Sequence, residues 1–421
     1  MTDNPAPATS VSRTGPETAR LPAADLVDPP STGRLIGLDL ARGLAVFGMY
    51  SAHVGPDVTV GGPVGFLLEL ARGRSSALFA LLAGFSLVIL TGRPHARTGR
   101  AGRQAVARVV IRAVVLVALG FALTALDTQV DVILAYYGLI FLAVLPLYRL
   151  PARTLAVIAA AGALILPQLL YAVRQAIDEG SWADTVVAWD PLARLPGSEG
   201  FLELLVTGEY PVVTWVPFLV AGMAVARLDL HRARARARLA LTGGALAVFG
   251  HGGSWLALHA VPGALAAVAA ATDAGSASSA WWSDTAGAPV DGVPLAWQLV
   301  AVPHSQTTFS ILGSTGVALL VLAGCLALAD RAPRLVRAAR PVSAVGMVAL
   351  TVYVLHIVAL WTFAQVWTVV DVENDTMSAL PILLGFIAAA MLLATVWTRV
   401  FRRGPLEYLL HKVTGLARHV T

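Results

Sequence analysis

Ten runs of apolar residues limit what this chain can fold into, because each is close to the length that crosses a bilayer as a helix. A membrane-spanning helix needs about 20 such residues. Only 13% of the chain is charged, against about a quarter in soluble proteins. We therefore predict an all-α fold, a polytopic integral membrane helical bundle with about ten transmembrane helices. The runs lie near 36–54, 75–91, 108–126, 132–148, 154–173, 202–226, 239–260, 307–329, 342–364 and 379–400.

Arginine-rich connections alternate with acidic ones, and this alternation orients the predicted helices. Positively charged loops favour the cytoplasmic side. With ten spans, the basic connections at 92–107, 227–238 and 331–340 share one side with the C-terminal tail. Both termini should then be cytoplasmic, and the protein should be a multi-pass component of the cell membrane. The opposite side carries Asp127, Asp131, Asp178, Glu179, Asp184, Asp371, Glu373 and Asp375.

Composition outside the apolar runs gives the remaining segments. Residues 1–33 are rich in Pro, Ala, Ser and Thr and lack a long apolar core, so we predict a disordered cytoplasmic tail. Two transmembrane halves, 34–226 and 227–404, precede a second cytoplasmic tail, 405–421. The single Cys325 excludes an intrachain disulfide. We expect no metal site, because no ligand spacing supports one, and no nucleic-acid partner, because no basic stripe is present.

The first apolar run contains three ionisable residues, which are functional candidates inside a membrane because they are costly unless they face protein or water. Asp39 lies one turn from Arg42, so an ion pair is expected. His53 lies on nearly the same face, within about 20°, but roughly 16 Å further along the helix. The sequence thus predicts two separate polar sites on the first helix, Asp39 with Arg42 on the cytoplasmic side and His53 on the outer side. The alternatives are an interfacial ion pair that sets topology and a solvated histidine at a helix end.

Further polar residues accompany the later runs. Arg72 and Arg74 begin the second run on the predicted outer side, against the positive-inside tendency. They could neutralise an anionic substrate, pair with Glu69 or contact lipid headgroups. His304 and His356 are candidates for lining the same polar interior as the first-helix histidine. The alternative for His356 is a buried histidine bonded to a neighbouring helix.

Two features predict local geometry within the bundle. Tyr210, Pro211 and Pro217 interrupt the sixth run, so freed backbone groups are expected to line a cavity there. Gly84, inside an apolar helix, suits close helix packing. The long connection 261–306 is expected to carry interfacial tryptophans or to form a lid.

The motifs resemble known families. Arg42-Gly43, followed by apolar residues and His53, resembles the first helix of type-3 membrane acyltransferases, where a histidine at this offset is regarded as catalytic. The wider chain resembles bacterial relatives of heparan-α-glucosaminide N-acetyltransferase. The lysosomal enzyme has its catalytic histidine further along, whereas 54–94 contain none here. The matching runs of the first half are Leu38–Gly43, Gly73-Arg74, Leu78-Phe79 and Gly84. Those of the second half, which is similar to a domain of unknown function, are His304-Ser305, Leu312–Gly316, Gly346–Tyr353 and Arg403–Glu407.

The resemblance implies an acyltransferase-like first half and an integral membrane acyltransferase. It would move an acyl group, as in acetyl transfer, from cytoplasmic acyl-CoA to a sugar or lipid-linked acceptor at the outer face. No permanently bound cofactor is implied, and acetyl-CoA or another acyl-CoA would be the co-substrate. The expected partners are membrane lipids, acyl-CoA and a glycan or lipid-linked acceptor, with a homodimer left open. The expected catalytic residue is His53, and the expected substrate-binding residues are Asp39, Arg42, Arg72, Arg74, His304 and His356.

A different class of function fits the same residues. A small-molecule or lipid transporter without covalent chemistry would also use intramembrane charges and a broken span. Binding of acyl-CoA separates the two hypotheses, since a transporter of this kind need not bind it.

Overall fold

The apolar runs fold as helices, and the described part of the chain is all-α, with 78% of its residues helical. The computed structural model describes residues 1–2, 32–128, 130–178, 180, 182–198, 200–290, 292–366 and 379–421. Within these ranges the extended structure is limited to a bridge between Thr272 and Pro289. Several sequence-based expectations lie outside the described residues: nearly all of the predicted N-terminal tail, Glu179, Asp371, Glu373 and Asp375.

Proline in the first turn marks the start of several helices, because its missing N–H needs no partner there. Examples are Pro63, Pro333, Pro341 and Pro405. The helices are α1 Thr32–Val54, α2 Gly62–Ala71, α3 Arg74–Thr91, α4 Gly99–Thr124, α5 Ile133–Val144, α6 Ala152–Asp178, α7 Trp182–Trp189, α8 Val212–Ala226, α9 Ala233–Ala247, α10 Gly253–Ala260, α11 Ala264–Ala271, α12 Thr308–Arg331, α13 Pro333–Ala338, α14 Arg340–Met347, α15 Ala349–Val366, α16 Ala379–Val400 and α17 Pro405–Thr414.

The number of ten spans is not confirmed. By length and composition, the described residues contain five helices able to cross a membrane, or up to seven if each bent pair counts as one span. The bent pairs are Ala233–Ala260 with Ala264–Ala271, at 103°, and Arg340–Met347 with Ala349–Gln365, at 85°. The five are Gly62–Thr91, Gly99–Thr124, Ala152–Asp178, Thr308–Arg331 and Ala379–Val400.

The other predicted runs form helices that fall short of these criteria for different reasons. The runs near 132–148 and 202–226 give short apolar helices, Ile133–Arg149 and Val212–Ala226. The first run forms α1, which is 23 residues long. This helix is not among the five that meet the criteria. By these criteria the described residues give five to seven spans, and the remaining predicted spans are not confirmed.

Helix α1 lies inside the bundle and positions the candidate site. Gly37 packs against Cys325 of α12, and Gly43 against Val342 of α14. A Cβ added at Gly346 of α14 would overlap the carbonyl oxygen of Asp39. These contacts fix the helix on several sides. Asp39 and Arg42 lie towards one end of it and His53 lies at the other, and we name these the Arg42 end and the His53 end.

The predicted close packing at Gly84 is confirmed. A Cβ at Gly84 would overlap the carbonyl oxygen of Leu219 in α8, and one at Gly222 would overlap that of Leu81 in α3. The contact is reciprocal, so α3 and α8 cross with their backbones against each other. Small residues permit this approach between apolar helices.

A separate apolar cluster, which we call the cap, lies beside the bundle within residues 254–302. Its buried members include Leu258, Val268, Trp297 and Val300. Trp297 is therefore a core residue of the cap, in a connection for which interfacial tryptophans or a lid were the predicted alternatives. The long connection thus folds into a structured element with its own small core.

Candidate active site along the first helix

His53 and His356 form a direct imidazole pair at the His53 end. The helix carrying His53 ends at Val54, and His53 Nδ1 lies 2.9 Å from His356 Nε2. Their ring planes are inclined by only 6°. His356 is 2% exposed, and the ring of Tyr50 covers it at 4.8 Å between centroids. The structure thus brings together two candidates that are 303 residues apart in sequence.

Helix α15, which carries His356, makes further contacts that hold the pair in place. The Tyr50 hydroxyl donates a hydrogen bond to the carbonyl oxygen of Val352, at 2.9 Å. The ring of Tyr353 meets His356 edge-on at 5.1 Å. His356 is therefore bonded to a neighbouring helix, as the alternative interpretation held. Its partner there is the first-helix histidine itself.

His304 forms a second pair with Glu209, a residue that the sequence analysis did not select. His304 Nδ1 lies 2.9 Å from Glu209 Oε1. Burial is the largest single influence on His304 and lowers its pKa, but the charge and further contacts of Glu209, together with the charge of Asp131, outweigh burial, and the net pKa lies above its usual value. The backbone of His304 has φ +61°, a left-handed conformation that costs free energy in a residue with a side chain. Such strain is often found at functional sites.

Hydrogen bonds to the interrupted backbone before α8 hold Glu209 in place. The carbonyl oxygen of Val206 accepts two bonds from Arg174, at 3.0 and 2.8 Å. The carbonyl oxygen of Glu209 accepts one from Gln306 Nε2, at 2.9 Å. The interruption at Tyr210 and Pro211 frees these carbonyls, and polar side chains satisfy them. This confirms the expected cavity-lining backbone.

A cavity of about 390 Å³ lies beside this break, and we call it the His304 cavity. Its charged lining residues are Arg174, Glu209, Asp284 and His304. Within the described part of the chain, Asp284 Oδ1 and three further lining atoms are buried without a hydrogen-bond partner. Buried polar atoms of this kind normally find partners, so the cavity offers unused hydrogen-bonding groups. The three further atoms are Thr207 Oγ1, Gln298 Oε1 and His304 Nδ1, which contacts Glu209 as an ion pair.

The two histidine pairs lie at the same end of α1. Arg72 pairs with Asp57, which follows α1, at 4.0 Å and with Asp284, which lines the His304 cavity, at 3.0 Å. The ring of Tyr210 meets that of His304 at 5.3 Å. Four ionisable side chains from four parts of the chain therefore converge on one polar region at the His53 end.

Arg72 and Arg74 connect the cap to the bundle. Arg72 Nη1 lies 3.0 Å from Asp284 Oδ2 of the cap. Arg74, which is 4% exposed, donates to the carbonyl oxygen of Glu69 at 2.8 Å and to that of Trp282. Both arginines therefore have protein partners on the rim of the polar region.

A second pocket, of about 310 Å³, lies at the Arg42 end and is called the Arg42 pocket here. The predicted ion pair is confirmed, with Arg42 Nη1 2.9 Å from Asp39 Oδ1. Arg42 Nη2 also donates to Ser86 Oγ, at 2.7 Å. Arg112 and Glu407 line the same pocket, and the Nε atom of Arg112 is buried without a partner within the described residues.

Glu407 ties the C-terminal segment to this pocket. Its Oε1 accepts bonds from the backbone N–H groups of Leu350 and Thr351, at 2.8 and 3.1 Å. Its Oε2 accepts one from the Thr351 hydroxyl, at 2.5 Å. A carboxylate at the start of α15 satisfies its free N–H groups and complements its dipole.

Buried tyrosines occupy the region between the two ends. Tyr137 lines the Arg42 pocket and stacks on Phe79 at 5.9 Å. The hydroxyl of Tyr353 accepts a hydrogen bond from the N–H of Ile133, at 3.3 Å, at the start of the helix that carries Tyr137, and the ring of Tyr353 contacts His356. Aromatic groups therefore extend from the Arg42 pocket to the histidine pair.

Sequence reasoning missed three of these residues, although two left a signal. Arg112 is a charge inside an apolar run, and such residues are functional candidates by default. Glu209 directly precedes the recognised break. Glu407 belongs to a quoted motif, but its contact with Thr351 spans 56 residues and no local pattern reveals it.

Comparison with protein families gives two matches. The model described as heparan-alpha-glucosaminide N-acetyltransferase, catalytic, matches residues 34–255. The model described as a protein of unknown function (DUF418) matches residues 253–417. No curated protein matches the chain. The family resemblance inferred from the sequence motifs is confirmed.

The candidate site joins the two matched regions. His53 and Glu209 belong to the first, and their partners His356 and His304 belong to the second. Neither region therefore contains a complete histidine pair.

Proposed function

Because the chain belongs to the family of heparan-alpha-glucosaminide N-acetyltransferase catalytic domains, we propose that it transfers an acyl group, acetyl in the first instance, from acyl-CoA to a sugar or lipid-linked acceptor. The donor enters from the cytoplasm at the Arg42 end, and the acceptor is held at the His53 end, on the outer face of the cell membrane. The observation that carries this proposal is the arrangement of two polar pockets at opposite ends of one buried helix.

The Arg42 pocket suits the anionic part of the donor. Guanidinium groups bind phosphate with paired, charge-assisted hydrogen bonds, and Arg112 retains an unpaired donor there. The roughly 16 Å between Arg42 and His53 matches a donor whose flexible arm carries the reactive thioester away from its nucleotide. Tyr137 lines the Arg42 pocket and Tyr353 contacts His356, so we propose that the arm of the donor passes these two side chains.

His53 acts as the general base on the acceptor. Its Nδ1 lies 2.9 Å from His356 Nε2. In the tautomer that catalysis requires, Nδ1 carries the proton and donates it to this bond, which leaves Nε2 of His53 to take a proton. As the acceptor oxygen or nitrogen attacks the thioester carbonyl carbon, its proton passes to His53. A tetrahedral intermediate forms and collapses, the carbon–sulfur bond breaks, and the CoA thiolate leaves and takes up the proton.

His304 stabilises the negative charge that develops on the carbonyl oxygen. The Glu209 carboxylate favours the protonated imidazole, so the pKa of His304 is raised. A histidine beside a carboxylate and a histidine beside another imidazole have different environments, which divides the acid and base roles between them. Charge stabilisation of this type contributes strongly to acyl transfer.

Transport without covalent chemistry is the second candidate, favoured by the broken helix before α8. Purified protein in detergent should be incubated with radiolabelled acetyl-CoA and candidate saccharides, with His95→Ala as the control because His95 is exposed. Acyl transfer that falls about 100-fold or more in His53→Ala supports the proposal. Absence of acetyl-CoA binding, with saccharide flux in proteoliposomes, would establish transport instead.

A further inference from the structure

An apolar groove of about 740 Å³ lies between α15 and α16. All of its lining residues are apolar except Tyr50 and His356. Leu355 and Leu393 line the groove and are also exposed. Because both helices belong to candidate membrane spans, the groove opens sideways towards bilayer hydrocarbon.

The shape of the groove follows from how α16 packs. This helix packs mainly on α14, near the Arg42 end, and stands apart from most of α15. Gly385 lines the resulting space, and a Cβ added there would have no atom within 4 Å. The groove is therefore a gap between helix faces with room for a ligand.

The length of the groove fits one hydrocarbon chain. Along α16 the groove extends from Ile382 to Leu393, roughly 16 Å, or about half of the ~30 Å hydrocarbon core. One acyl or isoprenoid chain from a single leaflet has this length, and the almost wholly apolar lining suits it.

The groove reaches the proposed base. His356, in its wall, is bonded to His53 at 2.9 Å, and Val54, the next residue along α1, also lines the groove. Arg72 connects the same end of α1 to the His304 cavity, because it pairs with Asp57, four residues beyond His53, at 4.0 Å and with the cavity-lining Asp284 at 3.0 Å. The apolar groove and the polar cavity therefore both lie at the His53 end.

We propose that the acceptor is a lipid-linked saccharide. Its hydrocarbon chain lies in the groove between α15 and α16, its saccharide occupies the His304 cavity, and its acylated group meets His53. The acceptor role rests on the proposed function, whereas binding of the lipid chain does not.

Lipid binding is tested directly with a photoactivatable probe, a dodecyl glucoside that carries a diazirine in its alkyl chain. Labelling of the purified protein should concentrate on peptides that contain 352–363 and 382–393. Gly385→Phe fills the groove and should abolish that labelling. Gly324→Phe is the matched control, since Gly324 is also helical with open space around it. Labelling spread evenly over all lipid-facing helices, or replaced by cross-links between two copies at α16, would overturn the proposal.

The acceptor role is tested by comparing a prenyl-linked saccharide with the same saccharide without its lipid. Wild-type protein should prefer the lipid-linked form, and Gly385→Phe should raise its KM about tenfold or more, because buried methylene groups dominate chain affinity. The KM for acyl-CoA should not change. Equal use of both saccharides would overturn the lipid-linked acceptor while leaving acyl transfer intact. Groove labelling without any acyl transfer would reject the proposed function and retain the lipid site.

Discussion

His304 and Glu209 lie 2.9 Å apart as an ion pair that joins the loop before α12 to the break before α8. Burial lowers the pKa of His304, but the charge and contacts of Glu209 and the charge of Asp131 together outweigh burial and raise it. Since the folded pKa exceeds the unfolded one, the pair stabilises the fold fully below the unfolded value, about 6.5. That contribution is lost as pH rises through the raised folded pKa.

Glu209→Gln should therefore reduce the dependence of stability on pH. Wild-type protein should lose thermal stability as pH rises above about 6.5, whereas the variant should be less stable at low pH and change little across the same range. Thermal unfolding in detergent at a series of pH values measures both. Asp178→Asn, on a half-exposed residue, is the control. A variant with the wild-type pH profile would show that Glu209 does not set the charge of His304.

His356 should act on catalysis by positioning His53. His356→Leu removes the acceptor for His53 Nδ1, so kcat should fall about 10- to 100-fold, as when an orienting partner of a histidine is lost. The KM for acyl-CoA should not change. His356→Gln can still accept a hydrogen bond and should recover part of kcat. Equal losses in both variants would indicate a packing effect only.

Arg112 should determine donor affinity. Arg112→Leu removes a guanidinium from the Arg42 pocket, and a charge-assisted hydrogen bond contributes about 1.5–3 kcal/mol, so acyl-CoA affinity should fall roughly 10- to 150-fold. Isothermal titration with acetyl-CoA measures this directly. Arg100→Leu lies on the same helix but is exposed, and it should bind like wild type. Equal affinity in the two variants would place the donor elsewhere.

Local patterns predicted part of this structure well. Helical class, the Asp39–Arg42 ion pair and the break at Pro211 all depend on residues close in sequence, so spacing alone reveals them. The number of ten spans is not confirmed, and hydropathy windows do not detect bends such as the 85° turn before α15. The His53–His356 contact spans 303 residues, and only tertiary packing creates it.

Arg112 shows a different reason for failure. Its charge inside an apolar run was visible in the sequence, but its position on a pocket shared with Glu407 depends on how α4 and α17 pack. The residue type alone indicates that a buried arginine can bind an anion. Which residues share a pocket with it cannot be predicted from the sequence, because that depends on how the helices pack.

The reciprocal contact between α3 and α8 gives a last prediction, on stability. In Gly84→Ala the new methyl group would overlap the carbonyl oxygen of Leu219, and in Gly222→Ala that of Leu81. Overpacking costs typically 1–3 kcal/mol, and backbone atoms cannot rotate away as a flexible side chain can. Each variant should therefore unfold at lower temperature or lower denaturant concentration than wild type. Gly244→Ala, with open space around its Cβ, should match wild type or exceed it slightly, because alanine favours the helix. Wild-type stability in both Gly84→Ala and Gly222→Ala would mean that α3 and α8 are not in backbone contact.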